Sequence, residues 1–177
     1  VTMFFAQAEA LGDKSFLWAK TDGTYRPLDW RQTSEKVIRL ARGLRSLGIA
    51  DGDRVVLVSE NRPEWLIAEV AIMAAGAIAV PAYTTNTEAD HLHILTNSGA
   101  KGAIVSTRRL AAKLIPAAHR APEMQFVVTM DPPEITQHLT VDVCLWDDVL
   151  AGGDVGPDIV AEAAVLKRTD TAAIIYT

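Results

Sequence analysis

Cysteine is nearly absent: Cys144 is the single thiol in 177 residues. One thiol cannot close an internal disulfide, and free thiols persist in reducing compartments, so Cys144 reads as a small buried core residue of a cytoplasmic protein. Long apolar runs are missing too. The nearest approach to the roughly 18 uninterrupted apolar residues of a membrane span is Trp65 to Pro81, and Glu69 and Gly76 break it. Basic charge is scarce: 17 Lys and Arg stand against 22 Asp and Glu, a net charge of -5. That balance offers no footprint for a nucleic-acid backbone, which is held by clustered cations. The opening Val1-Thr2-Met3-Phe4-Phe5 lacks the basic and long apolar regions of a secretory signal. It also lacks an initiating Met, which points to a chain trimmed at its front.

The usual chemical fingerprints are absent as well. No Gly-x-Gly-x-x-Gly follows a strand, no Gly-x4-Gly-Lys-Ser/Thr occurs, and no Gly-x-Ser-x-Gly supplies a nucleophile. The junction Ser59-Glu60-Asn61-Arg62-Pro63 has no glycine that would let a pyrophosphate approach, which argues against a dehydrogenase. His91 and His93 stand two apart, and on a helix such residues point to nearly opposite sides, so no metal is expected there. His119 and His138 have no companion ligands at metal spacing and read as surface or helix-end residues. Arg108, Arg109, Lys113 and Arg120 form a basic stripe best read as a solvated helix face. In Asn61-Arg62-Pro63-Glu64-Trp65, Asn61 reads as an N-cap, Pro63 as a first-turn residue, Glu64 as a dipole partner and Trp65 as an inward-packing ring.

What is present is 49% hydrophobic and 22% charged, the profile of a globular chain long enough for one domain. "SFLWAK" and "TYRPLD" flank Thr21-Asp22-Gly23 and predict a hairpin, because Asp-Gly tolerates the positive φ of tight turns. From Trp30 the period changes: Trp30, Thr33, Val37, Leu40, Leu44 and Leu47 predict an amphipathic helix. Asp29 and Gln32 can form its capping box, and Gly48 can end it. Short apolar runs then alternate with helical stretches: Arg54 to Val58, a helix from near Pro63, Ala77 to Tyr83, a helix from Glu88, Gly102 to Val105, a helix after Thr107, and Phe126 to Met130. The terminal Ala172 to Tyr176 closes the series. Strands apolar along their whole length and separated by helices predict parallel strands covered on both faces. The fold class is therefore α/β: a doubly wound, mainly parallel sheet with flanking helices and an N-terminal β-hairpin. Asp131 to Arg168 is less regular, with one short helix expected at Trp146 to Leu150.

The order of the pieces then carries more than any one of them. Gly48 with Asp51-Gly52-Asp53-Arg54-Val55, then Asn61-x-Pro63-Glu64-Trp65, then Gly76-Ala77-x-x-Val80-Pro81, resembles the N-terminal part of the adenylate-forming acyl-CoA synthetases. The resemblance covers essentially the whole chain, and Pro81-Ala82-Tyr83-Thr84-Thr85 is more similar to the long-chain fatty acid branch. It implies that residues 1-177 are a single partial domain, the incomplete N-terminal part of the synthetase large domain. It implies further that Tyr176 and Thr177 open a glycine-rich loop that cradles ATP phosphates. These two are the nucleotide-binding candidates, and no catalytic residue is expected within the chain.

For the parent enzyme the resemblance implies a fatty acid, ATP, Mg2+ and CoA as reactants and cofactors, with acyl-AMP as the intermediate. It also implies a cytoplasmic protein, with peripheral contact at the inner face of the membrane as a further expectation. The fragment alone is expected to bind no cofactor, to be inactive and to self-associate through uncovered surface. Two alternatives stand beside this: a fatty acyl-AMP ligase or aryl-CoA ligase of the same superfamily, and a non-catalytic α/β binding module.

Overall fold

A computed structural model describes residues 1–134 and 138–177. Helix α1 (Thr2–Leu11) leads into strands β1 (Ser15–Thr21) and β2 (Thr24–Asp29), which pair antiparallel around Asp22-Gly23. Both turn residues have positive φ, 51° and 80°, the geometry whose twist matches a two-residue hairpin. Helix α2 (Trp30–Ser46) starts at the expected box: the Gln32 N-H donates to Asp29 Oδ1 at 2.7 Å, and the Asp29 N-H donates to Gln32 Oε1 at 3.2 Å. It buries Thr33, Val37, Leu40 and Leu44 and stops at Gly48, whose φ is 94°. A fully buried leucine such as Leu40 contributes about 2 kcal/mol by leaving water.

The central sheet follows. Strand β3 (Arg54–Val58), helix α3 (Pro63–Ala74), strand β4 (Ile78–Pro81), helix α4 (Glu88–Ser98), strand β5 (Gly102–Val105), helix α5 (Arg108–Arg120) and strand β6 (Phe126–Thr129) alternate as the pattern predicts. Strand β7 (Asp142–Leu145) and helices α6 (Trp146–Gly152) and α7 (Ile159–Ala163) complete the chain. The five central strands are all parallel, in the order β4-β3-β5-β6-β7. The chain therefore leaves β3 toward one edge and reaches β5 by crossing back over β3. One core packs α2, α3, α6 and α7 against one face of the sheet, and a second packs α4 and α5 against the other. This is the doubly wound α/β arrangement. Strands β5 and β6 are buried at every position, which is why they read as unbroken apolar runs. At Gly102 the Phe126 ring fills the space a side chain would need, so any larger residue there would have to displace that buried ring.

Four details differ from the sequence reading. The run Ala172 to Tyr176 is not an interior strand: it makes one parallel bridge, Ala173 to Ala79, on the outer side of β4, and Ile175 remains 62% exposed. Among the described residues no strand lies beyond it, so it pairs on its β4 side alone. Strand β7 and helix α7 fall within the stretch read as irregular, because β7 is half-exposed and lacks a continuous apolar run. Asn61 does not cap α3. Arg62 holds that position without a side-chain cap bond, its Nε donating to Glu64 Oε2 at 2.8 Å. Cys144, on the edge strand, is only partly buried, and burial together with Asp142 and Asp148 pushes its thiol pKa up.

Candidate functional site

Open α/β sheets bind ligands beyond the carboxyl ends of their strands. Two crevices lie along that edge here. The first sits between β3 and β5, where the connections leave in opposite directions. Glu60, two residues past β3, fills it: its carboxylate accepts from the Ser106 hydroxyl, from Thr107 Oγ1 at 3.5 Å and from Arg109 at 3.2 Å. Burial alone would raise the Glu60 pKa, but the bonds from Ser106, its own N-H and Arg109 hold it below the usual value. The carboxylate thus occupies the start of α5, where a free anion would otherwise be attracted.

The second crevice lies over β3 and β4. It is a groove of about 350 Å3 lined by Ser59, Asn61, Trp65, Pro81, Ala82, Tyr83, Thr84, Ile175 and Tyr176. Sequence order brings these together simply. Ser59 and Asn61 follow β3, Trp65 is in the first turn of α3, Pro81 to Thr84 follow β4, and the terminal segment lies alongside β4. Tyr176 is half-buried. Its hydroxyl donates to Asn97 Oδ1 at 2.8 Å, and its ring meets His93 edge-on with centroids 6.2 Å apart. Thr177 is exposed. The groove offers three aromatic rings and neutral polar groups but no Lys or Arg, so it suits a flat or apolar group. It does not by itself fit a Mg2+-triphosphate, whose charge would go uncompensated.

A larger cavity of about 830 Å3 lies at the opposite end of β4, between the chain start, Gly76 to Ile78 and Leu166 to Ala172. Its size does not make it the better candidate, because it faces the amino ends of the strands, away from the ligand edge of this architecture.

The remaining charged candidates are accounted for by internal partners. Arg108 lies 3.9 Å from Glu134, Arg120 pairs with Glu88 at 2.6 Å, and Lys113 Nζ donates to the Asn86 carbonyl at 3.2 Å. With Arg109 held by Glu60, the basic stripe makes no phosphate cluster. His91 is fully buried and His93 exposed, so one helix carries the two rings to different surroundings. Burial pushes the His91 pKa down, assisted by Lys113. Among the described residues no group of three or more His, Cys, Asp or Glu could hold a metal, and no helix is long and apolar enough to cross a membrane.

The sequence reading missed Glu60, and it missed that Tyr176 turns toward α4. The signal for Glu60 was available in part, since an acidic residue placed between an apolar strand and a helix start can accept from the polar groups that gather there.

Comparison with known proteins agrees with the fold. A long-chain-fatty-acid–CoA ligase of Mycobacterium tuberculosis, FadD15, is 31% identical over 159 residues, covering 88% of this chain and 25% of the ligase. A benzoate CoA ligase from Burkholderia xenovorans superposes with a TM-score of 0.77 at 24% identity, covering 97% of this chain and 31% of that one. Coronafacic acid ligase from Pectobacterium brasiliense gives 0.82 at 17% identity, covering 98% and 32%. The chain thus spans about a quarter of the length of the M. tuberculosis ligase. An uncharacterised M. tuberculosis protein, Rv1549, is 29% identical over 116 residues, which are 64% of this chain and 66% of that protein. The family described as AMP-binding enzyme matches residues 4–177, and the chain belongs to it.

Proposed function

We propose that this chain is the N-terminal part of an ATP-dependent acid–CoA ligase that activates a long-chain fatty acid. The parent forms acyl-AMP and pyrophosphate, and CoA thiol then displaces AMP. One observation carries the reading: residues from segments of the family resemblance that are far apart in sequence, Asn61 and Trp65, Pro81-Ala82-Tyr83 and Tyr176, line one groove at the ligand edge of the sheet. The 31% identity to a ligase named for long-chain fatty acids supports the substrate class.

In this reading Tyr176 and Thr177 stand at the edge of bound ATP. The groove supplies a scaffold with no charge compensation of its own, so Mg2+ and cationic donors come from outside these residues. The 177-residue chain alone is inactive and binds no cofactor, and it self-associates through its sheet edge and exposed Ile175. A cytoplasmic location with peripheral membrane contact goes with a fatty-acid substrate.

Pyrophosphate release by the full-length enzyme, with ATP and Mg2+, is the test. Release with palmitate-length acids, stimulated by CoA, supports the reading. Acyl-AMP that accumulates without CoA transfer assigns a fatty acyl-AMP ligase, and preference for benzoate-like acids assigns an aryl-CoA ligase. A second reading is a non-catalytic α/β binding module; the match that covers 66% of Rv1549 supports only that a protein of similar size carries this scaffold. A natural reading frame that closes at Thr177 would favour it strongly.

A further inference from the structure

Among the described residues, the backbone bonds between the terminal segment and the sheet are made at Ala79. The Ala79 N-H donates to the Ala172 carbonyl at 3.0 Å and the Ile174 N-H donates to the Ala79 carbonyl at 2.9 Å. Beyond Ile174, the contacts that fix the chain come from a different element. Tyr176 reaches α4, where Asn97 accepts its hydroxyl and His93 receives the edge of its ring. That part of α4 is itself fixed. The Arg54 guanidinium, at the start of β3, donates to the carbonyls of Ser98 at 2.6 Å and Gly99 at 2.5 Å, and the helix closes on Gly99 in the left-handed conformation. A continuous brace therefore runs from β3 through Arg54, the end of α4 and Asn97 to Tyr176. It fixes the direction in which the chain leaves the sheet.

We propose that Asn97 and His93 are positioning residues for the nucleotide site, acting through Tyr176, with Arg54 setting the helix end that carries them. The inference rests on the ligase reading above. A backbone that must place N-H groups against phosphate oxygens needs a fixed point of departure, since small misplacements of donors weaken such bonds steeply. The backbone bonds at Ala79 and the partial packing of Ala173, Ile174 and Tyr176 against the two cores hold the segment on the sheet. The Tyr176–Asn97 bond adds a directional contact that sets the ring, and with it the backbone at Tyr176, in one orientation.

The test compares Asn97→Leu, Asn97→Asp and Tyr176→Phe in the full-length enzyme, by ATP–pyrophosphate exchange, alongside hydrogen exchange at residues 174–177 in the 177-residue chain. Losing one hydrogen bond corresponds to about a three- to tenfold effect. The expectation is a KM for ATP raised by that factor in Asn97→Leu and Tyr176→Phe, with the KM for the acid unchanged. The double variant should be no worse than either single one, and Asn97→Asp, which keeps the acceptor, should restore the KM. Amide exchange at Tyr176 and Thr177 should quicken in parallel. Faster exchange with an unchanged ATP KM overturns the proposal, as does unchanged exchange in Asn97→Leu. A wild-type enzyme that catalyses no ATP–pyrophosphate exchange overturns the ligase reading itself, and this inference with it.

Discussion

Two crevices open along the same edge of one sheet, and they have opposite characters. Between β3 and β5, where the strand order reverses and topology alone would place a ligand, Glu60 fills the space and satisfies Ser106, Thr107 and Arg109. Over β3 and β4, three rings and several neutral polar groups line a groove that carries no charge. The backbone on the two sides is alike, a parallel strand followed by a turn and a helix. What sets the first apart is the carboxylate of Glu60, two residues past β3, and the polar groups it gathers. A carboxylate placed at a helix start acts as a built-in anion, so the charged crevice is already occupied and the uncharged one is left for a ligand.

Removing that side chain should have the largest effect. Glu60→Ala leaves the fully buried Ser106 hydroxyl without its partner and strips Arg109 of its carboxylate. The expected loss is about 2 kcal/mol, within the range for an unsatisfied buried polar group, measured by urea denaturation. The vacated helix start should then accept an anion: millimolar phosphate should raise the melting temperature of Glu60→Ala and leave the parent chain unmoved. Equal response in both proteins would break the comparison. Glu60→Gln, which keeps the shape, should lose less and gain nothing from phosphate.

Acid should sharpen the same contrast. Glu60 is held below its usual pKa, as is Asp53, where burial is outweighed by the Ala50 N-H and Lys101, whose Nζ lies 2.9 Å away. A carboxylate depressed in the folded state stabilises above its unfolded pKa, and that contribution is lost as pH falls through the folded value. His91, pushed down by burial, adds an earlier loss: the unfolded chain takes up its proton first, so stability starts to fall below about pH 6.5. Glu69, which burial raises, works in the opposite direction. Denaturation midpoints should therefore hold steady near neutrality, decline first from His91 and then steeply below about pH 4.5. Glu60→Gln should flatten the second decline. His91→Leu should remove the first.

The groove side should respond more weakly in stability. Trp65 is partly buried against the larger core, so Trp65→Ala is expected to cost about 1.5 kcal/mol, less than a fully buried ring would. Chemical denaturation measures it, and a loss greater than that of Glu60→Ala would mean that the open groove, not the filled crevice, is the structural centre of this edge.

Local patterning made most elements legible. Strands β3 and β5 and helix α5 are continuous apolar runs or clean helical periods, and the Asp29–Gln32 box marks its helix start directly. Strand β7 was not legible, because Asp142, Val143, Cys144 and Leu145 mix exposure on an edge. The terminal segment misled for the converse reason: Ala172 to Tyr176 has the composition of an interior strand yet finds a neighbour on one side only. The filled crevice was hidden by distance along the chain. Glu60 meets Ser106 because β3 and β5 pair in parallel with Val58 opposite Val105, a register no local pattern encodes. Tyr176 stood out by resemblance, but its turn toward Asn97, 79 residues earlier, depends on where the β4–β5 crossover sets α4.

The smallest stability effect is expected at Tyr83, and it separates the two crevices most cleanly. Its ring is 64% exposed at the rim of the groove, so Tyr83→Ser should leave the denaturation midpoint within about 0.5 kcal/mol of the parent chain, as surface substitutions do. A ring left in water at a ligand-facing edge contributes little to folding and is free to contact a ligand. Under the ligase proposal, the same change in the full-length protein should raise the KM for the acid or for ATP severalfold, read by pyrophosphate release. Glu60 would then be a residue that folding requires and ligand binding does not touch, and Tyr83 the reverse. A Tyr83→Ser enzyme with unchanged kinetics would show that an open groove at this edge is no more a binding surface than the crevice Glu60 fills.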